Sequence, residues 1–242
     1  MFEFFRSVKN RYRVVLGQKY FLIAIFISAG ILFGGYLVNY YATEFNDTFT
    51  YPSVGDSILD NLPTYNLEFL YGFGIYILLA IILVYAFLFV PERGPFILKT
   101  YGFLFLLRGI FMLLTNYGPP AGFFYAGGVT PDSFVMDRFL FKNDLFFSGH
   151  VAIPFMAYLL FRGTNKYIEA FMLIGSFAMA VTVLLMHIHY SIDVVAAYFI
   201  TYGVYAFSNE VFVKLNEKFL GWRGFCCEHK NSEIMISITD KK

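Results

Sequence analysis

The stretch LYGFGIYILLAIILVYAFLFV, residues 70–90, contains no charged side chain, and Pro91-Glu92-Arg93-Gly94-Pro95 follows it before a second apolar run opens at Phe96. A helix needs about 20 apolar residues to cross the hydrocarbon core of a bilayer. Paired prolines and a glycine make a tight polar turn. The segment therefore predicts two membrane-crossing helices joined by a short hairpin. Working outward, stretches near 20–41, 146–162, 167–187 and 190–213 meet the same criterion, as do 70–90 and 96–115. Arg162-Gly163-Thr164-Asn165-Lys166 parts the fourth from the fifth, and only His187-Ile188-His189 parts the fifth from the sixth. The expected fold is all-α: a polytopic integral membrane protein with a six-transmembrane-helix bundle. A basic N-terminal segment (1–19) precedes the membrane domain (20–213), and a tail (214–242) follows it.

Composition agrees with this class. Hydrophobic residues make up 58% of the 242 and aromatics 21%, while charged residues reach only 14%. A soluble domain carries about a quarter charged residues, so this chain lacks the charge to cover a watery surface. A net charge of +1 excludes the basic excess that nucleic-acid binding requires. The longest polar stretches, 42–68, 116–144 and the tail, leave no room for a separate soluble domain. Basic residues precede the first apolar run without a small-residue cleavage site after it, so we read a retained span rather than a signal peptide.

Lysine and arginine set the expected orientation. Arg6, Lys9, Arg11, Arg13 and Lys19 lie at the N-terminus, Arg93 and Lys99 at the first short turn, Arg162 and Lys166 at the second, and Lys214, Lys218 and Arg223 in the tail. The first long loop instead holds Glu44, Asp47, Asp56, Asp60 and Glu68. Both termini are expected in the cytoplasm and both long loops outside. Cys226 and Cys227 lie beyond the last span, as free thiols or as juxtamembrane lipidation sites. Asn46-Asp47-Thr48 is a glycosylation sequon.

Titratable groups beside apolar spans mark functional sites. His150 ends the run Asp144-Leu145-Phe146-Phe147-Ser148-Gly149-His150, and His189-Tyr190-Ser191-Ile192-Asp193 places a carboxylate four residues after a histidine. On a helix that spacing brings the carboxylate onto the same face, one turn on, where it can orient and charge the imidazole. His187 has no aspartate at that spacing, so His189 is preferred. Both segments open from the outer side, and together they suit a displacement at phosphorus or at an acyl carbon. Arg108 interrupts the third span about seven residues from its outer end, about 10 Å deep. A buried arginine there needs an anion, and its planar fork suits phosphate oxygens. Pairing with a carboxylate of the bundle is the alternative.

Together these segments resemble the sphingomyelin synthase family, within the broader type 2 phosphatidic acid phosphatase superfamily. The Asp-x-x-x-Ser-Gly-His segment matches Asp144 to His150, and His-Tyr-Ser-x-Asp-Val with a following Ala-Tyr matches His189 to Val194 and Ala197-Tyr198. Arg108, Met112, Thr115 and Pro119 look like the family's arginine-bearing span, and Pro52, Asp56, Asp60 and Pro63 are similar to its first outer loop. Lys142-Asn143 stands where the family has Cys-Gly, and Val151 where it has threonine. The resemblance implies a lipid phosphotransferase acting through a phosphohistidine. His189 would be the nucleophile, Asp193 its orienter and His150 the acid and base. Arg108, Asp144, Ser148, Gly149 and Tyr190 would line the substrate site. The implied partners are a phospholipid donor and a ceramide- or diacylglycerol-like acceptor. No metal-ligand cluster is seen, and neither metal nor cofactor is expected. A lipid phosphatase or phospholipase C-like hydrolase, with water as acceptor, shares the same first half-reaction. A transporter or scaffold is the non-enzymatic alternative, although no internal repeat supports it.

Overall fold

Inside a bilayer each peptide group must find its partner within the chain, and long runs of Leu, Ile, Phe and Ala do so as helices. The computed structural model describes residues 2–18, 20–124 and 143–220. Their order is α1 (Phe2–Leu16), α2 (Phe21–Asp47), a π-helical turn (Leu70–Gly74) running into α3 (Ile75–Phe89), α4 (Gly94–Leu114), α5 (Gly149–Phe161), α6 (Lys166–Leu185) and α7 (Ser191–Leu220). The protein is an all-α polytopic membrane protein. Its outward surface is apolar, with Phe26 and Phe199 about three-quarters exposed at 74% and 76%.

Among the described residues, five helical segments are long and apolar enough to cross a membrane: Phe21–Asp47, Leu70–Phe89, Pro91–Leu114, Lys166–Leu185 and Ser191–Phe212. The expected fourth span, 146–162, is the exception. Its helix, α5, has 13 residues and begins only at Gly149. The Arg108 Nε donates to the Phe147 carbonyl at 2.8 Å, and its Nη1 lies 2.7 Å from Asp144 Oδ1. Residues 144–148 are thus held as a non-helical strap across α4, although Leu145-Phe146-Phe147 is as apolar as a helix interior. Residues 1–19, expected as a basic segment, contain α1. This helix bonds through Arg11 to the Phe89 carbonyl and to Glu92, and through Tyr12 to the Phe87 carbonyl. Cys226, Cys227 and most of the tail lie outside the described residues.

The pair α2–α4 sets the position of Arg108. A Cβ on Gly102 would sit 2.7 Å from the Ile31 carbonyl oxygen, and one on Gly109 would sit 2.9 Å from the Asn39 Cα. Only glycine lets the two backbones touch at both heights, which is how small residues bring membrane helices together. That approach brings Asn39 within reach of Arg108, Nη1 to Oδ1 3.1 Å. On the other side Ser176 of α6 donates to the Val151 carbonyl of α5 at 3.0 Å. The sequon residue Asn46 is buried, donating to the Met112 carbonyl at 2.7 Å. It is held inside the protein rather than presented for glycosylation.

The first outer loop folds back over the start of α7. Asp56 accepts from the Ser191 amide at 2.6 Å and hydroxyl at 2.9 Å, and from the Ile58 and Leu59 amides at 3.0 and 3.1 Å. Burial pushes its carboxyl up, but these donors outweigh it and leave the group below the ordinary carboxylate range. A carboxyl lowered by folding contributes stability above its unfolded pKa and loses it as pH falls through the folded one. The loop should therefore stay clasped at neutral pH and open only in acid below the usual carboxylate range. Hydrogen exchange at the Ile58 and Leu59 amides reads this directly. Asp56→Ala should expose them at neutral pH, weakening the clasp by about 2 kcal/mol. Equal protection in the variant would contradict the clasp.

Candidate active site

The two histidine segments, far apart in sequence, meet through a backbone hydrogen bond: the Ser148 amide donates to the Asp193 carbonyl at 3.3 Å. Ser148 sits just before the first turn of α5, and Asp193 is in the first turn of α7. Asp144 and His150 lie within electrostatic reach of each other, and each lies within reach of Arg108 and His189. The Arg108 guanidinium packs on Gly149, where an added Cβ would stand 3.5 Å from Nε. Arg108 is anchored by Phe147, Asn39 and Asp144 through Nε and Nη1, which leaves Nη2 without a hydrogen bond among the described residues. The alternative seen in the sequence, a carboxylate partner for Arg108, therefore holds alongside a free edge that can take an anion.

Ser148 and the start of α5 add further donors. The Ser148 Oγ is fully buried and has no hydrogen-bond partner among the described residues. The amides of α5's first turn have no acceptor within the helix. Such a terminus attracts an anion, and Arg108 adds a full charge beside it.

The His189 Nδ1 faces the Asp193 Oδ2 at 3.6 Å, with both side chains buried. Asp193 is itself held on both oxygens. Oδ2 accepts from the Tyr190 amide at 3.0 Å, and Oδ1 accepts from the Tyr117 hydroxyl at 2.5 Å. Burial first, then the charge of Asp193, pushes the Tyr117 phenol above its ordinary range, so it remains a donor. Sequence inspection missed Tyr117, since a tyrosine after a span carries no signal among nineteen. It also missed Asn39 and Tyr71, whose ring stacks on His150 with centroids 4.1 Å apart.

The Tyr190 hydroxyl is engaged by the outer loops. It takes the Val54 amide at 3.0 Å and donates to the Gly118 carbonyl at 2.9 Å, which joins them. His187 is engaged likewise. Its Nδ1 and Nε2 lie 2.8 and 3.2 Å from the carbonyls of Ala121 and Leu62, on a backbone at φ +52°. Both His187 nitrogens are occupied, whereas among the described residues the His189 Nδ1 faces only Asp193 and makes no hydrogen bond.

A polar cluster sunk in an apolar bundle, with two histidines, a fixed cation and a helix start, has the charge and donors to attract an anionic group. Residues 143–210 match the family described as PAP2 superfamily C-terminal. The matched stretch contains both histidine segments and ends within α7. It supports the broad type 2 phosphatidic acid phosphatase superfamily, and with it an enzyme of membrane lipid phosphoryl transfer. No curated protein matches the chain.

Proposed function

We propose that this PAP2-like chain is a membrane-embedded lipid phosphotransferase of sphingomyelin synthase type. It would move a phospho-headgroup from a phospholipid to a ceramide- or diacylglycerol-like hydroxyl. The observation that carries this proposal is the Arg108–Asp144 pair at 2.7 Å beside the two histidines. One cation already balanced by a carboxylate suits the single negative charge of a phosphodiester better than the double charge of a phosphomonoester.

In the first half-reaction the free nitrogen of His189 attacks phosphorus, and Asp193 stabilises the imidazolium through Nδ1. The bond from phosphorus to the lipid oxygen breaks, and His150 gives that oxygen its proton. In the second, His150 takes the proton of the acceptor hydroxyl, whose oxygen attacks phosphorus. The P–N bond then breaks and both histidines return to their starting states. Arg108 Nη2, Ser148 Oγ and the first amides of α5 would hold the non-bridging oxygens through both steps. The His189 Nδ1 and Asp193 Oδ2 stand 3.6 Å apart, and substrate binding would draw the pair to hydrogen-bond length.

Basic residues gather at the end of α5 away from His150, where Arg93 donates to the Leu160 carbonyl at 3.0 Å. This supports cytoplasmic termini and a site on the non-cytoplasmic side. The deciding experiment offers vesicles of phospholipid to purified protein with and without a lipid alcohol. Labelled headgroup phosphate should appear on the added alcohol. Release of water-soluble product at the same rate, whatever alcohol is present, would instead establish the hydrolase. Asp193→Asn should retain residual turnover, and Tyr117→Phe should lower kcat by about tenfold with KM little changed. A wild-type rate in both variants would reject the Asp193 assignment.

A further inference from the structure

We propose that Tyr71 is a positioning residue that fixes the ring plane of His150 for proton transfer. This rests on the phosphotransfer function above. The His150 ring is stacked on Tyr71 at 4.1 Å and 18°. Among the described residues, neither His150 nitrogen makes a hydrogen bond, and neither does the Tyr71 hydroxyl. The stack is therefore what orients an imidazole that has to carry a proton to and from oxygen. A histidine is usually oriented by a hydrogen bond to its second nitrogen. His189 has Asp193 for that task, whereas His150 has an aromatic face.

The place of Tyr71 in the fold supports the assignment. It comes from the π-helical turn Leu70–Gly74, the one such turn among the described residues and a geometry concentrated at functional sites. The turn is seated firmly. Gly72 is buried, and a Cβ on Gly74 would come 2.5 Å from the Met179 Cε of α6. Stacked on His150, the ring also brings its phenol within electrostatic reach of Arg108 and Asp144. Its neighbours Phe69 and Phe73 are 74% and 55% exposed on the lipid side, so the apolar composition of this turn requires no inward tyrosine.

Chemistry separates positioning from mere packing. His150 protonates the departing lipid alkoxide, but a 4-nitrophenolate leaves without a proton. With a phospholipid donor, Tyr71→Leu should lower kcat by about ten- to a hundredfold while KM stays near wild type. With a 4-nitrophenyl phosphodiester of the same headgroup, the first release of nitrophenolate should be nearly unaffected by Tyr71→Leu. Tyr71→Phe keeps the ring and should behave as wild type with both donors. Equal losses with both donors, or equal losses in the Phe and Leu variants, would overturn the proposal. A second measurement needs no turnover: the ring protons of His150 in isotope-labelled full-length protein, assigned with His150→Gln. Ring current from Tyr71 should hold them upfield in wild type and in Tyr71→Phe, and they should move downfield in Tyr71→Leu. Unchanged signals in the Leu variant would also overturn it. Should wild type transfer nothing to any acceptor, the phosphotransferase function fails while this measurement still decides the stack.

Discussion

Replacing His189 with alanine is expected to lower turnover by at least about 10⁴-fold, because the phosphoryl group then has no nitrogen to rest on. The ring is buried, so alanine also leaves a small void, and His189→Gln serves as the variant that keeps volume. Asp193 keeps the Tyr190 amide and the Tyr117 hydroxyl as donors in both variants, and among the described residues the His189 Nδ1 makes no hydrogen bond that would be lost. Both variants should express and melt close to wild type. Donor labelled in the headgroup phosphate should leave an acid-labile, base-stable label on wild-type protein and none on either variant. A label that persists in His189→Gln would move the nucleophile elsewhere.

Arg108→Leu is expected to be damaging twice over. Removing the guanidinium frees the Phe147 carbonyl and Asn39, and leaves Asp144 without its 2.7 Å partner. Breaking such a pair from one side destabilises by about 3 kcal/mol, the lower end of the range for buried pairs, since the Asp144 side chain is 32% exposed. Catalysis should fall by a further 10²–10³-fold or so, as charge builds on oxygens that Nη2 no longer meets. The double variant Arg108→Leu/Asp144→Leu separates the two effects. It should recover much of the thermal stability and none of the activity. Full activity in the double variant would remove Arg108 from the anion site.

What could be seen in the sequence, and what could not, follows from how each signal is written. A charge or a histidine inside an apolar run stands out locally, so His150, His189, Asp193 and Arg108 were visible at once. Asn39 was not, because its relevance depends on the glycine contacts that draw α2 against α4. Tyr71 and Tyr117 were hidden among many aromatics that serve as packing. Tyr190 looked like a site residue because it adjoins His189, but on the turn before α7 its side chain points toward the loops. The length of the fourth helix was misjudged for a different reason. Hydropathy records that Leu145-Phe146-Phe147 avoids water, and says nothing of Arg108 claiming the carbonyl that a longer helix would have used. The alternating basic and apolar residues of α1 mark an amphipathic helix, a pattern that the charge count alone does not carry.

The 13 residues of α5 span about 20 Å, while the hydrocarbon core is about 30 Å thick. One end of α5 is tied to the basic turn through Arg93, so the shortfall of about 10 Å falls at the end that carries His150. On the proposed function a headgroup would have to sink below the plane of its neighbours to be processed, by a distance set by the bilayer as much as by the protein. Membrane thickness becomes a kinetic variable: thin bilayers bring the phosphate layer toward the pit, and thick ones withdraw it. On the proposed function, the short helix would make this protein a gauge of the membrane whose composition it alters.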